Sequence, residues 1–517
     1  MLFRSMTSRM FKRRGEWENQ FGDYRRMGFW QFFKEQFGFN GSRFFIAFIL
    51  GLFGIWETIR RKPSAGLPFL VMTVICTIGI VLYMNFADGT RQHPLTGQDY
   101  LEVRDRDYFY TAGFIFFGMA IGLGIAGLMA LLKDSFKNYA PTIQKAAFGL
   151  SSLLVLMPIA PLSANYFIND RSRNYMPYDY AHNLLKPCEE DAIFITNGDN
   201  DTFPVWCIQE VYGIRNDVKT VNLSLANAPW YIKQLKKYHG VPIGWSDAEI
   251  DRLRPYQAKD GTVFRLQDQV IDEIITQNQN RRPIHISVTT PSSNRKYLGK
   301  PMDSVLILEG MVFQYTPAKA LNQIDYEKSR RMYEEEYEYR GIDDSTIYKD
   351  EATRRIVNNY SQGILWMADT LRRVGDIAGA LEHIKNGLTV LPESHDLYGY
   401  GTQLLADQGR FDTLDTFIEQ AKTDNKAELY MQWAYSARSQ GNMDELMSVL
   451  EMVFSKYPDY QEGFRALAAA YYQQKNITKL KEVLSIWLVN HPDDKDVKMA
   501  IAEVEKIEIP VDTAGGQ

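Results

Sequence analysis

Long uncharged runs dominate the chain between residues 44 and 169 and then stop. Residues 67–86 are 20 positions without a charge, 108–132 are 25, and 146–169 are 24. A bilayer core takes about 20 apolar residues in a helix, so each run predicts a membrane span. Residues 44–56 are shorter and meet Glu57, which predicts a fourth span tilted at one end. The expected bundle has four helices, at about 44–59, 67–86, 108–132 and 146–167. Ahead of it, residues 1–42 are rich in Lys and Arg and lack the apolar core of a signal peptide. Trp30, Phe32, Phe33, Phe37 and Phe39, beside Lys34 and Glu35, predict a juxtamembrane helix lying on the bilayer.

After residue 169 the period changes. Residues 192–196, 219–223, 284–288, 305–307 and 311–315 read as short apolar strands, and 203–212 as a helix between the first two. Strands separated by helices predict an α/β domain over 170–322 with a mainly parallel sheet. The charged stretch 325–340 reads as a solvated helix inside a connector, 323–345. From 346 to 508 four turns recur at Gly375, Gly409, Gly441 and Lys475, at spacings of 34, 32 and 34. Pro392, Pro458 and Pro492 fall in phase behind three of them. That period predicts an all-α solenoid of tetratricopeptide type, closed by a helix over 493–507 and followed by a flexible tail, 509–517.

The two short loops, 60–62 and 133–145, carry six basic residues and one acid, Asp134. The loop 87–107 carries three basic and five acidic residues. The positive-inside rule therefore puts the short loops in the cytoplasm and the C-terminal region outside. Three cysteines make no disulfide framework, and the pairing of Cys188 with Cys207 stays open. The seven histidines show no ligand spacing. The formal net charge is −5, and no nucleic-acid partner is expected. A transporter is disfavoured because the spans hold no charge away from their ends.

One turn, Asn197-Gly198-Asp199-Asn200-Asp201, concentrates polar chemistry at the end of a predicted strand. Asn197, Asp199 and Asp201 have the spacing that opens a calcium loop. Thr202 at position six and Ile208 at position twelve exclude one. Three readings remain: a cap for a helix starting at Phe203-Pro204, a ligand or acceptor site, and, through Asp199 and Asp201, a weak metal site. Carboxyl ends of strands in open α/β sheets are where ligands bind. Arg104 and Arg106, before the third run, can hold a lipid phosphate by bidentate hydrogen bonds or act as interfacial anchors.

The runs "NDRS" at 169–172, "YDYAHN" at 178–183, "TNGDNDTFPVWCIQEVYGIRNDVKTVNLSLANAPWYIKQLK" from Thr196, and "VRDRDYFY" at 103–110 resemble a family of large bacterial membrane proteins. That family, long catalogued as a domain of unknown function, is related to the transmembrane protein O-mannosyltransferases of GT-C type. Those enzymes transfer mannose from a polyprenyl-phosphate donor to protein hydroxyls. The resemblance covers most of residues 80–460 and implies an outward-facing α/β domain followed by helical repeats. In that family the catalytic acid lies in the first outward loop of a long N-terminal bundle, and no residue here takes that role.

The expectation is thus the C-terminal part of a polytopic glycosyltransferase, supplying membrane helices and an acceptor- or partner-binding domain. The alternative is a membrane-anchored repeat scaffold without catalytic activity. Candidate ligand- or acceptor-binding residues are Asn197, Asp199, Asn200, Asp201, Trp206, Asn222, Asn227 and Trp230. No cofactor is expected beyond a polyprenyl-phosphate-sugar donor if the enzyme reading holds. Expected partners are the membrane, a separate N-terminal membrane half, and a protein on the repeats. The resemblance implies the bacterial inner membrane, with the C-terminal domains in the periplasm.

Overall fold

The computed structural model describes residues 33–34, 36–37, 42–80, 87–92, 99–103, 107–318, 323–423 and 425–507. It divides into two compact units, Met1–Arg171 and Ser172–Gln517.

In the first unit, α1 (Ser42–Arg61) and α2 (Pro63–Gly79) precede an antiparallel ribbon of β1 (Ala87–Gln92) and β2 (Asp99–Val103). Two long helices follow, α3 (Tyr108–Ser135) and α4 (Pro141–Asn169). The expectation of four spans is corrected here. Among the described residues, only α3 and α4 are long and apolar enough to cross a membrane. Helix α1 ends in Glu57 paired with Arg60 and Arg61 at 2.6 and 2.5 Å, so its uncharged stretch is too short for a full span. Helix α2, at about 1.5 Å per residue, is several ångströms short of a core about 30 Å thick. The end of the run at 81–86 lies outside the described residues.

Helix α4 exposes Leu150 (72%), Val155 (60%) and Leu162 (65%), which a soluble core helix would bury. Helices α1 and α3 meet at close range. A Cβ on Gly54 would strike the Ala120 carbonyl, and one on Gly124 the Leu50 carbonyl. Small residues permit such contact where lipid supplies no hydrophobic drive between helices. Of the expected juxtamembrane helix, Phe33 is buried against Phe117, ring centroids 4.8 Å apart. Trp30, Phe32, Glu35 and Phe39 lie outside the described residues.

The second unit opens with α5 (Met176–Leu185), β3 (Ile193–Thr196), α6 (Asp199–Tyr212), β4 (Lys219–Asn222) and α7 (Pro229–Tyr238). It continues with α8 (Leu266–Asn278), β5 (Ile284–Ser287), β6 (Leu306–Glu309) and β7 (Val312–Tyr315). Strand order is β6-β7-β5-β3-β4. The sheet is mixed, which corrects the expectation of a mainly parallel one. β3 runs parallel to β4 and β5, whereas β7 is antiparallel to both β5 and β6. The reason is local: Gly310, at φ +64°, and Met311 close a two-residue hairpin. A parallel partner needs a crossover of about a dozen residues, which 306–315 cannot contain.

The central strand β3 is buried along its length, and Ile193, Phe194 and Ile195 pack with Leu184, Val205, Ile208, Val221, Ile274 and Ile286. The same core runs on into the helical region, taking in Tyr360, Ile364 and Met367. The connector begins with α9 (Tyr326–Arg331), where Asp325 accepts from the Lys328 amide at 3.0 Å. A π-turn, Met332–Glu336, follows, and Met332, Tyr333 and Tyr337 are buried.

Four helix pairs complete the chain: α10 (Glu351–Arg373) with α11 (Ile377–Val390), α12 (His395–Asp407) with α13 (Phe411–Glu419), α14 (Lys426–Ser439) with α15 (Met443–Lys456), and α16 (Gln461–Gln473) with α17 (Ile477–Asn490). Helix α18 (Lys495–Ile507) closes the array. The recurrence has a backbone cause. Gly375, Gly409, Gly441 and Lys475 all take positive φ, at 88, 68, 74 and 56°. Asp376, Asn442 and Asn476 then cap the next helix, accepting from Gly379, Glu445 and Lys479 amides at 2.8, 3.2 and 3.1 Å.

Candidate functional site

The three parallel strands end in Thr196, Asn222 and Ser287, and all three side chains are fully buried. β3 is apolar until its last residue, whereas β4 also carries Lys219 and Thr220 and β5 carries the buried His285. The strand-end hydrogen bonds converge on the first turn of α6. Thr196 Oγ1 lies 2.6 Å from Thr202 Oγ1, which donates to the Gly198 carbonyl at 2.7 Å and accepts from Asn222 Nδ2 at 2.9 Å. Asn222 is engaged through backbone and side chain: its backbone N–H donates to the Tyr231 hydroxyl and its Oδ1 accepts from the Leu225 backbone N–H, each at 2.9 Å.

Helix α6 starts at Asp199, four residues earlier than the sequence suggests, with extended Gly198 as its N-cap. No side chain caps it there. This start separates the two aspartates. Residues i and i+2 on a helix sit about 200° apart, so the carboxylates face opposite sides. Asp201 turns inward and is 3% exposed, whereas Asp199 and Asn200 face solvent. Asp199 and Asp201 therefore cannot grip one metal ion together. Among the described residues no group of three His, Cys, Asp or Glu side chains is placed to hold one.

Asp201 is held from every side. Tyr180 donates to Oδ1 at 3.0 Å, Thr289 donates to Oδ2, and the Asn197 amide approaches Oδ2 at 3.4 Å. Burial pushes its carboxyl above the ordinary aspartate range, against the pull of those donors. Tyr180 receives Asn359 Nδ2 at 2.9 Å, so the network reaches α10. Thr196, Thr202, Tyr180, Ser287 and Thr289 were not among the candidates from sequence. Polar residues closing the strands were the available signal.

The remaining candidates divide by exposure. Asn197 is half-buried, and its carbonyl accepts from Ser224 Oγ at 3.0 Å. Asn227 exchanges hydrogen bonds with Gln267 at 2.8 and 3.3 Å, tying α8 to the end of β4. Phe203 and Trp206 stack at 5.7 Å, Trp206 lies 6.4 Å from Tyr231, and Tyr231 lies 5.7 Å from Trp230. Phe203 and Trp230 are half exposed or more, at 50% and 59%. Trp206 also walls a groove of about 430 Å³ lined by Glu210, Asn216, Lys219, Gln234 and Tyr238. Near the same strand ends, Gln267 Nε2 and Thr290 Oγ1 are buried without a partner among the described residues. Arg104 and Arg106 lie outside the described residues.

Asp179 is 1% exposed and takes Arg340, 161 residues away, through its backbone amide at 2.9 Å and its guanidinium. In the first unit, an apolar groove of about 1090 Å³ runs past Gly118, Ile121, Gly122 and Leu162 and ends at Asn165 and Asn169.

Residues 177–255 match the family model described as TMEM260-associated domain 2. The chain is similar to the Protein O-mannosyl-transferase tmem260 of Dictyostelium discoideum, at 22% identity over 283 residues. The similar region is 53% of this chain and 32% of that protein, so the chain spans about a third of the length of the curated relative it matches. Both findings support a likeness to TMEM260-type proteins. With two apolar helices, they suggest a membrane protein.

Proposed function

We propose that this chain forms the acceptor- and partner-binding part of a multi-pass glycosyltransferase of protein O-mannosyltransferase type. One observation carries the reading. The family-matched segment, 177–255, builds two of the three strand ends, Thr196 and Asn222, together with the exposed Asp199–Asn200 rim and the Trp206 groove. In this reading a hydroxyl-bearing polypeptide lies along the rim. Trp206 and Trp230 offer flat apolar faces, while Asp199 and Asn200 accept and donate hydrogen bonds at the edge. The unspent groups Gln267 Nε2 and Thr290 Oγ1 add hydrogen-bonding capacity beside the strand ends.

The donor is a polyprenyl-phosphate sugar, whose chain the apolar groove between α3 and α4 suits in size and polarity. The catalytic acid belongs to a further membrane part, in the same polypeptide or a separate half. The helix pairs act as a tetratricopeptide-type surface for a protein partner. The second unit faces outward, toward the periplasm in a bacterial inner membrane.

The test is sugar incorporation into a Ser/Thr-bearing peptide from a polyprenyl-phosphate-mannose donor, by membranes carrying the chain with its candidate N-terminal bundle. Asp199→Asn and Trp230→Ala, both at exposed positions, should each lower incorporation with the thermal stability of the second unit preserved. Incorporation unchanged in both variants would remove the rim from the reaction. Stable association of the chain with partners, but no incorporation in any combination, would favour the anchored scaffold.

A further inference from the structure

A groove of about 560 Å³ lies where the start of α10 meets the start of α12 and the segment after α13. Lys349, Arg354, Arg355, His395 and Lys422 line it, and among the described residues one carboxylate, Glu393, lines it too. This charge is opposite in sign to that of the chain, which is −5 overall. Some cations elsewhere in the helical array are paired: Lys456 sits 2.6 and 2.8 Å from Asp415 and Glu419, and Arg372 sits 3.1 Å from Asp407. Arg354 and Lys422 are not. Both are exposed, and neither has an ion-pair partner among the described residues. His395 is already engaged by Glu428 at 3.1 Å and Lys349 donates to the Asp344 carbonyl at 2.9 Å, so the charge offered to a ligand is that of Arg354 and Lys422.

We infer that this groove binds an acidic, extended peptide segment whose carboxylates meet Arg354 and Lys422. A guanidinium takes a carboxylate by two parallel hydrogen bonds, and a groove lined by one sign of charge concentrates the opposite one. Asn425 makes no capping bond at the start of α14 and stands at the groove with amide groups for a peptide main chain. This inference does not depend on the transferase reading, because binding is measured without any sugar donor.

The experiment uses the purified full chain in detergent micelles and a fluorescein-labelled Glu-Gly-Glu-Ser repeat peptide, followed by anisotropy at low ionic strength. Wild type should bind it saturably and ignore the same peptide with Gln for Glu. The double variant Arg354→Glu/Lys422→Glu should weaken binding by about tenfold or more. Arg465→Glu/Lys498→Glu, an equal charge change on exposed residues outside the groove, should leave it unaltered. Melting temperatures matching wild type confirm that both variants fold. The inference fails if the peptide does not bind saturably, or if both double variants weaken it equally. It also fails if phosphatidylglycerol vesicles bind the groove in a manner abolished by the first double variant while the peptide does not.

Discussion

Tyr180 on α5 donates its hydroxyl to the buried carboxylate of Asp201 on α6 across 3.0 Å, and takes a hydrogen bond from Asn359 on α10 in return. One phenol thus joins the first turn after β3 to the first helix of the array. Asp201→Ala leaves this hydroxyl and that of Thr289 without their acceptor and should cost about 1–3 kcal/mol, read as a loss in unfolding free energy. Tyr180→Phe and the double variant complete a cycle, and its coupling term should be nonzero.

The same carboxylate carries a pH signature. Its folded pKa is raised by burial, so between the unfolded value of 3.8 and that raised value the folded chain binds more protons than the unfolded one. Its contribution to stability therefore falls as pH rises through the window. Asp201→Asn removes this titration. The Tm difference between variant and wild type should move in the variant's favour as pH rises from about 4 to 7. A difference independent of pH would contradict the assignment.

Asp179 and Arg340 form the pair whose rupture should matter most to the second unit. Removing Arg340 leaves a carboxylate that is 1% exposed without its countercharge. Arg340→Ala should destabilise by about 1–3 kcal/mol, and Arg340→Lys should recover only part, since the bidentate fork is lost. Chemical denaturation of both variants measures this.

Lys475 takes the left-handed conformation that glycine holds at the three equivalent turns, with φ +56°. Lys475→Gly should stabilise the last helix pair by about 0.5–1 kcal/mol, because the Cβ strain exceeds the entropy glycine adds to the unfolded chain. Gly441→Ala should do the reverse. Hydrogen exchange of α16 and α17 amides reports the local effect.

Cys207 is exposed on α6, whereas Cys188 is buried and Cys76 is partly buried within α2. A membrane-impermeant maleimide should therefore label Cys207 in intact spheroplasts if the second unit faces outward, with Cys207→Ser as the blank. Labelling that requires lysis would invert the proposed topology.

Much of the architecture is written in local pattern. The apolar lengths of α3 and α4, the buried runs of β3, β4 and β5, and the phase of the helix pairs all follow from short-range physics. A strand buried on both faces is apolar over most of its length, and a left-handed turn precedes the second helix of each pair. The count of spans did not follow, because Glu57 with Arg60 and Arg61, and the shortness of α2, weigh against runs that hydropathy alone accepts. Nor did the direction of β7, which a two-residue hairpin reverses. The fates of Asp199 and Asp201 were illegible for a sharper reason. Their separation depends on where α6 begins, and that start puts one carboxylate in water and the other against Tyr180 and Thr289, 21 residues before it and 88 after. Sequence placed polar residues at a strand end. Only the tertiary packing of α5, β5 and α10 around that end decided which of them is buried as a structural joint and which stays free to meet a ligand.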